Sequence, residues 1–225
     1  MKKGDFIWAL LFLMALTLFL VPSSREMILS ASNAHHYLSG FIKFAILATM
    51  GDVLGKRIVS GEYLLSSKTA WSALVWGIIG CMVTLVFPVF MGGAGQAQAG
   101  GLLPFFEVPV AQAVFGSSIM NLTFAPAMNT FHRLADLWIE SKYTHEKVSF
   151  KGLINKIDWG TFVTFNWLKV GIFFWIPVHS IVFLLPEDIR VAVAAFSSIA
   201  LGIILSFAAK KGSEPAKITE EEELA

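Results

Sequence analysis

The sequence predicts an all-α protein, a polytopic transmembrane bundle of about six helices with both termini on one positively charged side. Three observations carry that reading. The chain is 56% hydrophobic and only 15% charged over 225 residues, with 20 Phe and 7 Trp and a mean hydropathy of +0.68. A water-soluble domain keeps a polar side on its surface helices, whereas a lipid-facing helix does not. The apolar residues also gather into runs near the roughly 20 residues needed to cross a hydrocarbon core about 30 Å thick. Finally, Lys and Arg partition between alternate loops.

The first run, about 6–21, follows Lys2 and Lys3 and reads "FIWALLFLMALTLFLV". A cleaved signal peptide would begin the same way, but this apolar region is long for one, so a retained signal-anchor helix is expected. The second, about 38–55, is the weakest because it holds Lys43 and Asp52. The third, about 71–91, is clean, and a Gly-rich outer loop "MGGAGQAQAGG" is expected after it. The fourth is about 102–128 and the fifth about 160–186. Between them runs a charged inner segment, in which Leu134, Leu137 and Trp138 recur at helical spacing and suggest an amphipathic surface helix. The sixth is about 190–209. Residues 1–211 form one transmembrane domain on this reading, and 212–225, "GSEPAKITEEEELA", read as a disordered acidic tail.

The loops test the count. With the N-terminus inside, thirteen of the 17 Lys and Arg fall on the inner side, and only Arg25 and Arg190 fall outside. The remaining pair, Lys43 and Lys169, lie within spans. This asymmetry is the positive-inside pattern, which places both termini in the cytoplasm.

Charges in lipid cost roughly 2.5–3.5 kcal/mol each on insertion scales, so they seek partners or a wet cavity. At 1.5 Å per helical residue, Lys169 lies about 13 Å deep, and about 15 Å separates it from His179. Depth alone sorts the polar residues into two layers. The inner one holds Asn121, Asn166 and Lys169; the outer one holds Lys43, Glu107 and His179. Asp52 sits near the inner end of the second span, within reach of the basic loop that follows. Pro88, Pro109, Pro126 and Pro177 fall inside expected spans, where each frees a backbone carbonyl one turn back.

Two readings of this polar set stand side by side. One is a path through the bundle that makes the chain a channel or facilitator for small solutes. The other is interhelical glue in a structural or scaffolding membrane protein. A membrane enzyme acting on lipid or quinone needs convergent groups, such as a pocket joining His179, Glu107 and Arg190. No G-x-S-x-G, H-E-x-x-H or metal-ligand spacing appears, so no catalytic residue, cofactor or metal is expected. Cys81 is the single cysteine, which rules out an intrachain disulfide. Without a basic stripe, nucleic acid is not an expected partner; the lipid bilayer is, and a homo-oligomer stays open.

Three segments resemble the Mpv-seventeen family, which includes the twenty-two-kilodalton peroxisomal membrane protein. "GDVLGKRI" is similar to the family's Gly-Asp pair at Gly51 and Asp52, with Lys56 where the family has Gln. "MNLTFAP" is similar to its Asp-Gln-x-x-x-Ala-Pro, with Met120 for the Asp, Asn121 for the Gln and Pro126 kept. "WIPVHSIVF", containing Pro177, is followed by Pro186-x-x-x-Arg190 and by Leu205-Ser206, as in the C-terminal signature. His179 or Ser180 takes the region of the family's Gln. The resemblance covers roughly residues 40–207. It implies a small multi-helix membrane protein with a proposed role as a solute channel. Organelle membranes are the family's setting, but the chain lacks an Arg- and Ser-rich presequence, and a bacterial cytoplasmic membrane suits its N-terminus better.

Overall fold

The computed structural model describes residues 2–213, and every regular element among them is helical. In order these are α1 (Lys3–Leu20), α2 (Pro22–Ala34), α3 (His36–Ser60), α4 (Ser67–Ala99), α5 (Pro109–Tyr143) and α6 (Phe150–Asn155). A single turn, α7 (Trp159–Thr161), then leads into a π-helical segment (Phe162–Trp175) and α8 (Ile176–Leu184). These three make one 26-residue rod, Trp159–Leu184. The last helix is α9 (Glu187–Ser213).

Five helices are long and apolar enough to cross a membrane: α1, α3, α4, the rod and α9. They fit a multi-pass integral membrane protein. α5 falls outside this set because Gln112, Gly116, Ser117, Ser118 and Asn121 lower the hydropathy of its charge-free first half, and its second half carries Arg133, Asp136, Glu140 and Lys142. Yet it lies antiparallel to α4 over most of their lengths. Lys68 at the start of α4 donates to Glu140 at 2.7 Å, and Gln112 near the start of α5 donates to the Met91 carbonyl at 2.8 Å.

Ion pairs mark one end of the bundle. Arg57 holds Asp5 through two bonds of 3.0 and 3.1 Å, Lys2 reaches the Gly61 carbonyl, and Lys156 pairs with Glu146. The start of α1 therefore lies beside the end of α3. α9 runs parallel to α3, since a Cβ on Gly51 would meet Ile199 and one on Gly55 would meet Ser206. So the end of α9 lies at that same end of the bundle as the start of α1.

α3, the weakest span by hydropathy, is the hub, packing on α4 on one side and α9 on the other. Small residues make this possible in lipid, where dispersion rather than water exclusion joins helices. At the α3–α4 crossing, a Cβ on Gly80 would lie 2.2 Å from the Gly40 carbonyl oxygen, so the two backbones touch. Around the crossing pack Phe44, Leu47, Ile79 and Val83, all buried.

Several expected boundaries move. The Gly-rich segment 91–99 is not a flexible loop but the last turns of α4, which ends at Ala99. The fourth span starts at Pro109, not 102, because proline is tolerated at a helix's first turn and residues 100–108 form the loop instead. Leu134 and Trp138 belong to an unbroken continuation of α5, not to a separate surface helix. Residues 22–34, expected as loop, form α2, with Pro22 at its first position. α9 carries helix through Ser213, two residues into the expected tail; the rest of that tail, 214–225, lies outside the described residues.

Candidate functional site

Three polar places line up along the bundle, separated by aromatic side chains. At the centre, Asn121 of α5 is 1% exposed. Its Nδ2 donates to the Ser117 carbonyl at 2.8 Å and lies 3.1 Å from His179 Nδ1. Asn121 Oδ1 lies 3.3 Å from the same ring nitrogen, so the pair bonds in either imidazole tautomer, Nδ1 accepting from the amide N–H or donating to the amide oxygen. Ser117, fully buried, donates to the Ile176 carbonyl at 2.8 Å. That carbonyl lies where the π-helical ladder gives way to α8, with Pro177 next, so the hydroxyl supports a joint in the backbone. Trp175 stacks on the imidazole at 4.8 Å, and Phe87 meets it edge-on at 5.4 Å. These residues border a cavity of about 100 Å³ that also touches Trp76, Met120, Asn129 and Ser198.

The outer place is a pocket of about 370 Å³ between α2, α3, α4 and α9. Lys43, 9% exposed, donates to Ser32 Oγ at 2.9 Å. Ser32 passes its own proton to the Ile28 carbonyl at 2.6 Å, so Ser39, 2.7 Å away, is the donor in that pair. Asp188 and Arg190 complete the wall, with Arg190 Nε donating to the Leu185 carbonyl at 2.9 Å. Phe87 borders both this pocket and the central cavity, so its ring is the partition between them.

The inner place centres on Asp52. Its carboxylate accepts from Trp76 Nε1 at 2.7 Å. The Trp76 ring lies 4.3 Å from that of His132, whose Nδ1 is 3.5 Å from Asp136 Oδ2. His132 Nε2 is buried with no hydrogen-bond partner among the described residues. Trp76 faces the central cavity on one side and this cluster on the other. Eleven residues of α4 separate Trp76 from Phe87, about 16 Å of helix.

The two-layer scheme is therefore corrected. Asn121 does not join Lys169 and Asn166; it joins His179. The reason is side-chain direction: helical side chains lean toward their own N-terminus, so on these oppositely running helices Asn121 reaches outward and His179 inward. Lys169 is exposed on the outer face of the π-helical segment, beside Leu168, Ile172 and Phe173. Its ammonium lies 6.0 Å from the Phe165 ring centre. A depth count on a 3.6-residue helix cannot place a residue in a π helix, where each residue turns through a smaller angle. Asn166 is half-buried and makes no side-chain hydrogen bond among the described residues. Glu107 is exposed in the loop before α5, with φ at +61°, and borders neither the central cavity nor the outer pocket. Lys43 does line a pocket, but Phe87 separates it from His179. Asp52 pairs with Trp76 rather than with the basic loop, whose Arg57 is taken by Asp5. His179, Glu107 and Arg190 are not brought together.

Among the motif residues, Gly51 lets α3 approach α9, since a Cβ there would lie 3.1 Å from Ile199 Cα. Pro126 sits inside α5, its carbonyl accepting from Thr130 Oγ1. Pro186 lies in the turn before α9, and its carbonyl accepts from the Ile189 backbone N–H. Sequence reading passed over Ser117, Trp76, His132, Asp136 and Asp188. His132 and Asp136 stand one helical turn apart, inside the charged segment where Leu134 and Trp138 already suggest a helix, and that spacing is the signal for the pair. Among the described residues no group of three His, Cys, Asp or Glu is disposed to hold a metal ion. No family model, curated protein or solved structure matches the chain.

Proposed function

We infer that the protein is an integral membrane facilitator for small solutes, held closed in this conformation by Phe87 on the outer side and Trp76 on the inner side. The observation that carries this reading is the central cavity: a largely apolar space that Asn121, Asn129, His179 and Ser198 also border, lying between two further polar places and divided from each by one aromatic ring. A bundle that only needed packing would gain more from filling 100 Å³ with apolar groups. The pairing of α5 with α4 supports six crossings, the sixth being α5. The ion-paired end, with Lys2, Arg57, Lys68 and Lys156, is then the cytoplasmic side, in a bacterial inner membrane. The Mpv-seventeen resemblance points to the same class of activity.

The test is osmotic swelling of proteoliposomes exposed to small neutral and zwitterionic solutes. Wild type should exceed empty vesicles, and Phe87→Ala should raise the rate about tenfold, equivalent to about 1.4 kcal/mol of barrier. If monodisperse wild type and Phe87→Ala both match empty vesicles, the facilitator reading fails. One observation favours the packing alternative: the Ser117–Asn121–His179 chain is largely satisfied from within. That alternative predicts the null result.

A further inference from the structure

Four charged side chains line the outer pocket, Lys43, Glu187, Asp188 and Arg190, and two of them, Lys43 and Asp188, are opposite charges that do not meet. Lys43 Nζ spends one hydrogen on Ser32 and has no carboxylate within salt-bridge distance among the described residues. The ionic group that acts on it is Asp188, which lines the same pocket. Asp188 Oδ1 is enclosed and has no hydrogen-bond donor among the described residues. Arg190, with its side chain 13% exposed, stands beside them, its Nη1 3.4 Å from Glu187.

An enclosed carboxylate oxygen without a donor and a buried ammonium with spare hydrogens are each unfavourable, and collapse onto each other would relieve both. They stay apart across a pocket of about 370 Å³, within the size range of small-molecule sites. What fits the gap carries an acceptor for Lys43 and a donor for Asp188, with the two groups close together. A simple anion leaves Asp188 unpaired, and a simple cation leaves Lys43 unpaired.

We propose that this pocket binds a free zwitterion of the α-amino-acid type, its carboxylate held by Lys43 and Arg190 and its ammonium by Asp188. The inference names the solute class of the proposed facilitator and in that sense rests on it, but occupancy of the pocket needs no open path. A zwitterionic lipid headgroup offers similar charges, and the experiment separates the two.

Equilibrium dialysis of the purified full chain in detergent, with a carbon-14-labelled mixture of α-amino acids and then with its members singly, reads binding directly. Saturable binding at or below about 10 mM is expected, with acetate and methylamine competing at least about tenfold more weakly than the amino acid. Asp188→Asn, which keeps shape and removes charge, and Lys43→Gln should each weaken binding about tenfold or more, the scale of a charged hydrogen bond. Elution position on gel filtration identifies any variant that fails to fold, and Asp188→Asn alone suffices if Lys43→Gln does. Three results overturn the proposal: no saturable binding, acetate competing as well as the amino acid, or label displaced by phosphatidylethanolamine micelles while free ethanolamine has no effect. Binding without flux leaves this site standing and sinks the facilitator; flux without binding does the reverse.

Discussion

The α3–α4 crossing gives a prediction whose size follows from geometry. A Cβ on Gly80 would lie 2.2 Å from the Gly40 oxygen and 2.8 Å from both the Gly40 carbonyl carbon and Phe44 Cβ. Ordinary contact begins at 3.4 Å. The overlap is therefore about 1 Å, and it falls on backbone, which cannot swing aside as a side chain can. Gly80→Ala must push the helices apart by about that distance. A radial gap of 0.5–1 Å forfeits a quarter to a half of each dispersion well of about 0.1–0.2 kcal/mol, and several tens of atom pairs cross this seam. The loss comes to about 1–3 kcal/mol, the usual range for an overpacked site. Alanine in a helix returns up to about 1 kcal/mol over glycine, which must be subtracted. Gly92, on the same helix, supplies the control, because a Cβ there meets nothing within 4 Å. Thermal or denaturant unfolding in micelles should show Gly80→Ala less stable than Gly92→Ala by about 1–3 kcal/mol, and Gly80→Val worse still. Equal stability of the two alanine variants would refute the close crossing.

Other consequences are quicker to state. Lys169→Leu should leave flux and amino-acid binding unchanged and should not lower unfolding temperature, because the exposed ammonium borders neither the central cavity nor the outer pocket; a loss of flux would restore Lys169 to the interior. Asn121→Leu should destabilise by about 0.6–1.7 kcal/mol, from the mean to the largest value measured for hydrogen bonds between membrane helices, and should slow flux; an unaltered unfolding curve would remove the Asn121–His179 contact. Asp158, the N-cap of α7, has its carboxyl held below the usual 3.8 by the Thr161 side chain first, and by the backbone N–H groups of Thr161 and Gly160. A depressed carboxyl stabilises fully above its unfolded value and loses that contribution as pH falls through the lower folded one. Protection of the Thr161 amide, its exchange relative to an unstructured amide at the same pH, should therefore fall only below about pH 4, and Asp158→Asn, which caps without titrating, should remove that fall.

The fold class was legible because lipid imposes one rule on every surface: apolar runs of bilayer length. That rule found α1, α3, α4, the rod and α9. At α5 the run was legible but weak, because Gln112, Asn121 and the small residues Gly116, Ser117 and Ser118 lower its average although the helix lies along α4. The rule also ended α4 too early, since Gly, Ala and Gln in 91–99 carry no apolar signal yet keep their helical hydrogen bonds. The site was less legible. Depth placed Lys43 near the outer end, where it lies. Depth could not say that Asn121 and His179 lean toward each other, nor that the rod switches to π geometry and turns Lys169 outward. Asp188 lies just beyond the turn at Pro186, in a stretch read only for its proline and arginine.

The three polar places also differ in charge, and the difference bears on what could pass. The outer pocket offers full charges, whereas the polar groups of the central cavity are all uncharged or weakly basic: two amides, a hydroxyl, an imidazole and two indoles. An ion leaving Lys43 or Asp188 for the cavity would surrender its ionic partner and find neutral dipoles in a space of about 100 Å³. An isolated charge pays several kcal/mol for such a transfer even after relaxation. A zwitterion carries no net charge, and its two ends partly satisfy one another while they change partners. Asn121 and His179 between them present both donor and acceptor atoms, which a dipole can use and a bare ion cannot use fully. The paired charges of the outer pocket and the uncharged polarity of the cavity thus favour the same solute class, from two places that Phe87 keeps apart.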